Sequence, residues 1–260
     1  MSMARQPGGY GDYGAHAGGY DHGHIIYPSW VFELILEKVM GRYTYVAKVL
    51  DVGCGTGLQT SALFNIGYTN IIGADIDKRM IKVARSKDER TISSPIIYMV
   101  SSVADLGFAD NSFDLITTFG GLSWFHDVPG SVENIRRMLR RGGWFFALDE
   151  HFQLPPRYQD VRTKYAPREA TGDWPSHVDP RAVLGTHGFR QIQHFEETTS
   201  IEFDTFGAMR YVLAGSWQNF VEPWKKRFLR DEVFNLCKKE EDSKGKIHWP
   251  FRFSVTFGRK

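Results

Sequence analysis

Short apolar runs alternate with amphipathic stretches along most of this chain. The first run, Tyr45-Val46-Ala47-Lys48-Val49-Leu50, leads through Asp51-Val52-Gly53-Cys54-Gly55-Thr56-Gly57 into a helix-like segment from Leu58 to Ile66. Asn70 to Ile76 is a second run, and Asp77 to Arg90 reads as a helix capped by Asp77. Pro95 to Ser101 and Phe113 to Gly120 supply strands three and four. A helix over Pro129 to Arg141 stops at Gly142-Gly143, ahead of a fifth strand from Trp144 to Asp149. Strands apolar throughout are buried on both faces, as in a parallel sheet with helical crossovers. Asp179 to Gly188 then reads as a short helix, and Phe189 to Phe203 contains strand six. Phe206, Met209, Tyr211, Leu213, Trp217 and Phe220 mark an aromatic-rich helical region, Glu222 to Lys239 a charged helix, and Phe251 to Phe257 a last strand. Ahead of all this, Trp30, Val31, Leu34, Ile35 and Val39 fall at helical spacing within Ser29 to Met40, a helix docked beside the sheet with Trp30 as a core residue.

Composition narrows the class. At 260 residues, 42% hydrophobic and 24% charged, the chain suits one large globular domain with a small cap. A net charge of +2 makes no case for a nucleic-acid partner. Cys54 and Cys237 form neither a disulfide framework nor a metal site, and two cysteines fit a reducing, cytoplasmic location. No secretory segment is evident and no run approaches a membrane span, so no membrane partner is expected. His16, His22 and His24 are irregularly spaced, which predicts adventitious rather than dedicated metal binding. Residues 1–16 are glycine-rich and read as a flexible tail.

The chemistry gathers where strand one turns into a helix. Glycine tolerates positive φ and lets a ligand approach the backbone closely. Amides at a helix start can bind polar groups. Asp75 ends the second strand, 18 residues beyond Gly57, where its carboxylate could grip the two hydroxyls of a ribose. The glycines run Gly53-x-Gly55-x-Gly57, one residue short of the dinucleotide fingerprint, which disfavours a pyrophosphate ligand.

Asp51-Val52-Gly53-Cys54-Gly55-Thr56-Gly57, then Gly73-Ala74-Asp75, then Ala109-Asp110-Asn111-Ser112-Phe113-Asp114-Leu115-Ile116, together resemble a class I S-adenosylmethionine-dependent methyltransferase. The resemblance is clear over roughly residues 17–150. It implies an α/β three-layer sandwich with a mostly parallel seven-stranded sheet, an antiparallel last strand and a small cap. It implies S-adenosylmethionine as cofactor, held by Gly53, Cys54, Gly55 and Gly57, with Asp51 supporting the loop or reaching the amino group through water. It implies Asp75 on the ribose, Ile76 beside it, Ser102 and Val103 on the adenine edge, and Phe119 at the end of strand four. The family usually carries an acidic residue where Ser102 stands; Asp105 could compensate from the next turn. Ala17 to Pro28 resembles the family's lead-in, with Tyr20 and Tyr27-Pro28 matching and His24-Ile25 replacing arginine-proline. Residues 17–40 are thereby expected to form a lid and docking helix, with Tyr20 touching cofactor and acceptor.

The segment after strand four bears on the acceptor. Leu122-Ser123-Trp124-Phe125-His126-Asp127 resembles methyltransferases that esterify small carboxylic acids, among them the trans-aconitate and insect juvenile hormone acid enzymes. Trp124 would line the acceptor pocket there, or stand as a structural wall. His126 is a candidate general base, a helix cap or a rim residue. His151, after strand five, is a second candidate base, and His177 a third. Arg157, Arg162 and Arg168 are cations available to an acidic acceptor. Arg136, Arg137, Arg140 and Arg141 read as a solvated helix face. Residues 154–178 and 204–222 read as an acceptor-site cap within a methyltransferase domain spanning 17–260. The expected activity is methyl transfer to a small organic molecule, a carboxylate first and a hydroxyl or amine second. A catalytically silent partner protein of the same fold is the alternative of another class. Oligomeric state is left open.

Overall fold

The computed structural model describes residues 12–40, 44–88, 96–166 and 178–260. Its centre is β1, Lys48–Val52, whose residues after Lys48 are all buried. Six further strands join it: β2 Asn70–Asp75, β3 Ile97–Val100, β4 Phe113–Phe119, β5 Leu139–His151, β6 Arg190–Phe203 and β7 Ile247–Arg259. The order is β3-β2-β1-β4-β5-β7-β6. The pairs β1–β2, β2–β3, β1–β4 and β4–β5 are parallel, and β7 is antiparallel to β5. The expected sheet, antiparallel strand included, is therefore the observed one. Strand order reverses between β1 and β4, so the loops leaving their carboxyl ends diverge and open a crevice.

Eight α-helices accompany the strands among the described residues: α1 Ser29–Ile35, α2 Leu58–Asn65, α3 Lys78–Asp88, α4 Val128–Met138, α5 Pro156–Tyr165, α6 Pro180–Thr186, α7 Thr205–Val212 and α8 Lys226–Glu240. The apolar stripe of α4 (Val132, Ile135, Met138) buries against Leu50, Val52, Ile116, Phe145 and Ala147 of the sheet and Leu184 of α6. Contacts of this kind hold the crossover helices, since isolated helices of their length are marginal in water.

Several sequence expectations change. The helix expected to reach Arg141 ends at Met138, and β5 begins at once with Leu139. Lys260 explains this: its amide donates to the Gly143 carbonyl, the Gly142 amide donates back, and its Nζ donates to the carbonyls of Arg137 and Leu139. A partner 121 residues away thus extends the strand. The helix expected over Ser29 to Met40 is α-helical only to Ile35 and continues as one wider π-type turn, Leu36–Met40. Of the arginines read as a solvated face, Arg140 is exposed and pairs with Asp114 at 2.8 Å, while Arg137 is half-buried and pairs with Asp110 at 2.7 Å. The tail expected over 1–16 lies mostly outside the described residues, and Tyr13–Gly23 is a 3-10 helix. Tertiary contacts hold that glycine-rich helix: Arg210 Nε donates to the His22 carbonyl, and Asn219 to the Asp12 carbonyl.

The chain divides into two compact units. One comprises Met1–Ile25, Phe152–Trp174 and Thr198–Phe251; the other Ile26–His151, Pro175–Glu197 and Arg252–Lys260. The first packs an aromatic cluster in which Phe152 stacks on Phe251 at 4.4 Å and on Trp249 at 5.2 Å. The second holds β1 to β5 and the glycine-rich loop.

Candidate functional site

The loop after β1 is held from within. The amides of Gly53 and Cys54 both donate to the Ala74 carbonyl, at 2.8 and 3.1 Å. The Gly55 amide donates to Asp75 at 2.8 Å, and the Gly57 amide to the Cys54 carbonyl at 2.9 Å. These four amides fix the loop's own path. What the loop offers instead is proximity. Gly53, Gly55 and Gly57 all have positive φ, and a Cβ on Gly55 would meet nothing within 4 Å. Gly57 is confined, because a Cβ there would collide with the Tyr98 hydroxyl; the same ring stands 2.7 Å from a Cβ on Gly73. Tyr98, on β3, thus shapes the loop from below, a role invisible in an ordinary strand residue.

Asp51 lies under this loop, only 1% exposed. Its carboxylate accepts from the Thr60 hydroxyl of α2 at 2.6 Å and the Thr117 hydroxyl of β4 at 2.8 Å. It therefore ties three elements together beneath the glycines. Burial pushes its carboxyl up to about 6, the two threonine hydroxyls opposing and the Asp75 charge adding to the rise. The Cys54 thiol is also pushed up by burial, with the charges of Asp51 and Asp75 adding to it, so it stays protonated and unreactive. One further polar group is buried here: the Thr118 hydroxyl has no hydrogen-bond partner among the described residues. It faces Gly53 and Gly121, 3.9 and 2.5 Å from where their Cβ atoms would be.

Asp75 sits at the tip of β2. One carboxylate oxygen accepts from Gly55 and the other from the Asp77 amide at 2.8 Å. A carboxylate has about four acceptor positions, so two remain for ligand hydroxyls. Burial raises its pKa, and the two amides oppose that rise. Asp77 caps α3, accepting from the Arg79 amide at 2.8 Å. Ile76 between them is 66% exposed, an apolar platform beside the carboxylate. Beyond β3, the Ser102 hydroxyl donates to Asp105 at 2.5 Å, and the Asp105 amide returns to Ser102 at 3.2 Å. Val103 is buried, and its carbonyl accepts from the Asn134 side chain of α4. Asn134 and Arg137 together bind the carbonyls of Val103, Leu106 and Phe108, fixing this loop; Asn134 did not stand out in the sequence, and Arg137 did so only as part of a solvated face.

The remaining expected site residues are scattered more widely. Phe119, half-buried at the end of β4, stacks on Tyr27 at 5.8 Å. Leu122–Trp124 is a 3-10 turn, with Trp124 half-buried. Asp127 caps α4, accepting from the Gly130 amide at 3.1 Å, so the cap is Asp127 and not His126. His126 is exposed. His151 Nε2 lies 3.0 Å from the Ser254 hydroxyl. Tyr20 belongs to the other compact unit, where its ring stacks on His24 at 3.6 Å. Arg157 is committed to Glu240 at 2.6 Å. Arg168 and His177 lie outside the described residues. No group of three or more histidine, cysteine or acidic side chains suited to a metal occurs among the described residues, and no helix there is long and apolar enough to cross a membrane.

These residues fit a nucleoside bearing an amino-acid tail. They provide open space over Gly55, spare acceptor positions on Asp75 and an apolar platform at Ile76. Residues 50–147 match the model of a methyltransferase domain. The O-methyltransferase rstn1 of Aspergillus nomiae is 28% identical over 159 residues, covering 61% of this chain and 68% of that protein. The ubiquinone/menaquinone biosynthesis C-methyltransferase UbiE of Shewanella oneidensis is 34% identical, covering 45% of this chain and 47% of that protein, so the chain spans about half of that relative's length. Among solved structures, phosphoethanolamine N-methyltransferase 2 of Haemonchus contortus, in complex with S-adenosyl-L-methionine, matches in fold. Its TM-score is 0.58 at 16% identity, over 95% of this chain and 57% of that one. Together, the methyltransferase-domain match over residues 50–147, the seven-stranded sheet and the glycine loop support S-adenosylmethionine-dependent methyl transfer.

Proposed function

We propose that the protein methylates a small organic acid on its carboxylate, giving a methyl ester. One observation carries this reading. The turn bearing Trp124 leads directly into α4, and the Asp127 carboxylate beside His126 is committed to capping that helix. His126 thus lacks the adjacent acid that would orient it as a base, and a carboxylate acceptor, already ionised, needs none. Bound S-adenosylmethionine supplies a methyl group already activated on a sulfonium. The chain's own part is alignment: Asp75 would hold the ribose hydroxyls, the glycine loop the amino-acid tail, and Trp124 the flat or apolar part of the acceptor.

Asp105, oriented by Ser102, stands in for the missing acid on the adenine edge. Asp105→Asn is expected to weaken S-adenosylhomocysteine binding about tenfold, the worth of a hydrogen bond to a charged group. Calorimetry with the analogue carrying oxygen in place of the 6-amino group should show little difference between variant and wild type. An equal loss for both ligands would return Asp105 to a merely structural role.

A second reading is methyl transfer to a hydroxyl or amine metabolite. The His151–Ser254 hydrogen bond favours it, since a base with a hydroxyl partner can pass on an acceptor proton. The deciding experiment is transfer from isotopically labelled S-adenosylmethionine into a small-molecule extract, followed by base treatment. A base-labile product establishes the ester. With that acceptor in hand, Trp124→Ala is expected to raise its KM more than that of the cofactor. A base-stable product would sink the ester reading and turn attention to His151.

A further inference from the structure

The start of α8 carries exposed aromatics that the site described above does not include. Trp224, in the 3-10 turn Pro223–Lys225 that runs into α8, is 65% exposed, and Phe228 is 57% exposed. Four residues apart on a continuous helical path, they share one side. The helix buries a different stripe, Leu229, Val233 and Cys237. On α7, Phe206 is 55% exposed, its ring 5.3 Å from Phe234 of α8. Burial in the chain's own core therefore does not explain these aromatics.

Basic residues outnumber acidic ones around them. Lys225, Lys226, Arg227 and Arg230 are interleaved with Trp224 and Phe228. Glu222 and Lys225 pair at 2.7 Å and Glu232 pairs with Lys164 at 2.6 Å, which leaves Lys226, Arg227 and Arg230 against the exposed Asp231. Arg227 and Arg230 are exposed and form no ion pair among the described residues. Their charge is thus available to an external anion.

We propose that this face attaches the protein peripherally to an anionic lipid surface. Tryptophan and phenylalanine next to basic residues on one side of a helix suit the boundary between headgroups and acyl chains. The aromatics enter that boundary while the arginines meet anionic headgroups. The sequence expectation of no membrane partner rested on the lack of a spanning segment, and a peripheral contact needs none.

The test is co-sedimentation of the full-length chain with vesicles of phosphatidylcholine alone and of equal parts phosphatidylcholine and phosphatidylglycerol. Binding is expected only to the anionic vesicles and should weaken as salt is raised. Each basic residue near such a surface contributes about fivefold, so Arg227→Ala with Arg230→Ala should lower partitioning about twenty-fivefold. Trp224→Ala with Phe228→Ala should lower it at least about tenfold. Affinity for S-adenosylhomocysteine should stay at the wild-type value in both variants, which verifies their folding. Absence of binding to anionic vesicles at low salt, equal binding to neutral ones, or full binding by either double variant would overturn the proposal. A wild-type dimer that Trp224→Ala with Phe228→Ala dissolves would overturn it too, assigning the patch to a second copy of the chain.

Discussion

Asp75→Ala should lose at least about a hundredfold in affinity for S-adenosylhomocysteine. Two hydroxyls donating to one carboxylate contribute about 1.5 to 3 kcal/mol each, and the variant loses both. Asp75 also braces the loop through the Gly55 amide, so a loss alone would not separate the two roles. A ligand lacking both ribose hydroxyls separates them. If Asp75 acts on the ribose, calorimetry will find that this analogue binds variant and wild type with similar affinity. If it acts only by holding Gly55, the analogue will suffer the full loss as well.

The second large effect concerns Asp51 and pH. Its carboxyl is raised from the ordinary 3.8 to about 6, chiefly by burial. The folded protein therefore binds this proton more tightly than the unfolded chain. The resulting stability is fully present below pH 3.8 and is lost as pH rises through 6. The gap corresponds to about 3 kcal/mol. Asp51→Asn keeps the shape without the charge, and its amide can accept from one threonine while donating to the other. Denaturant unfolding should find the variant at least as stable as wild type at pH 7.5, with that advantage shrinking toward pH 5. Cofactor affinity should run the other way. In wild type it should rise between pH 5 and 7, as the ionised carboxylate comes to favour the ligand's ammonium, and in Asp51→Asn it should stay flat. A variant less stable than wild type at pH 7.5 and equally stable at pH 5 would show that the buried charge is not a cost.

Much of the catalytic half was legible because its signals are local. Apolar runs over Lys48 to Gly53, Asn70 to Ile76 and Phe113 to Gly120 mark strands whose burial requires them, and the observed β1, β2 and β4 each end one residue earlier. Asp77 as the cap of α3 was legible for the same reason. What escaped depends on distant partners. Thr117 reaches Asp51 across 66 residues, and Lys260 reaches Leu139 across 121. Arg137 reads as part of a solvated face because helical spacing cannot reveal that it and Asn134 turn back onto the carbonyls of residues 103–108. The amino-terminal helix escaped because its glycines have no helical preference of their own. A Cβ on Gly23 would fall 2.7 Å from the Arg210 carbonyl and 2.5 Å from the Ala214 side chain, so α7 supplies the contact that orders it.

The Tyr98 ring beneath the glycine loop has an implication for how this sequence can drift. Two glycines distant in the chain are hemmed in by one side chain, so their histories are joined. Gly73 has no positive φ, and the ring is its main obstacle. Shrinking residue 98 first would open a path to alanine at 73, a step closed while the tyrosine remains. At Gly57 the same change would remove the collision but leave the left-handed backbone, so that position stays shut. The order of substitutions, more than their individual chemistry, decides which neighbouring sequences this domain can reach.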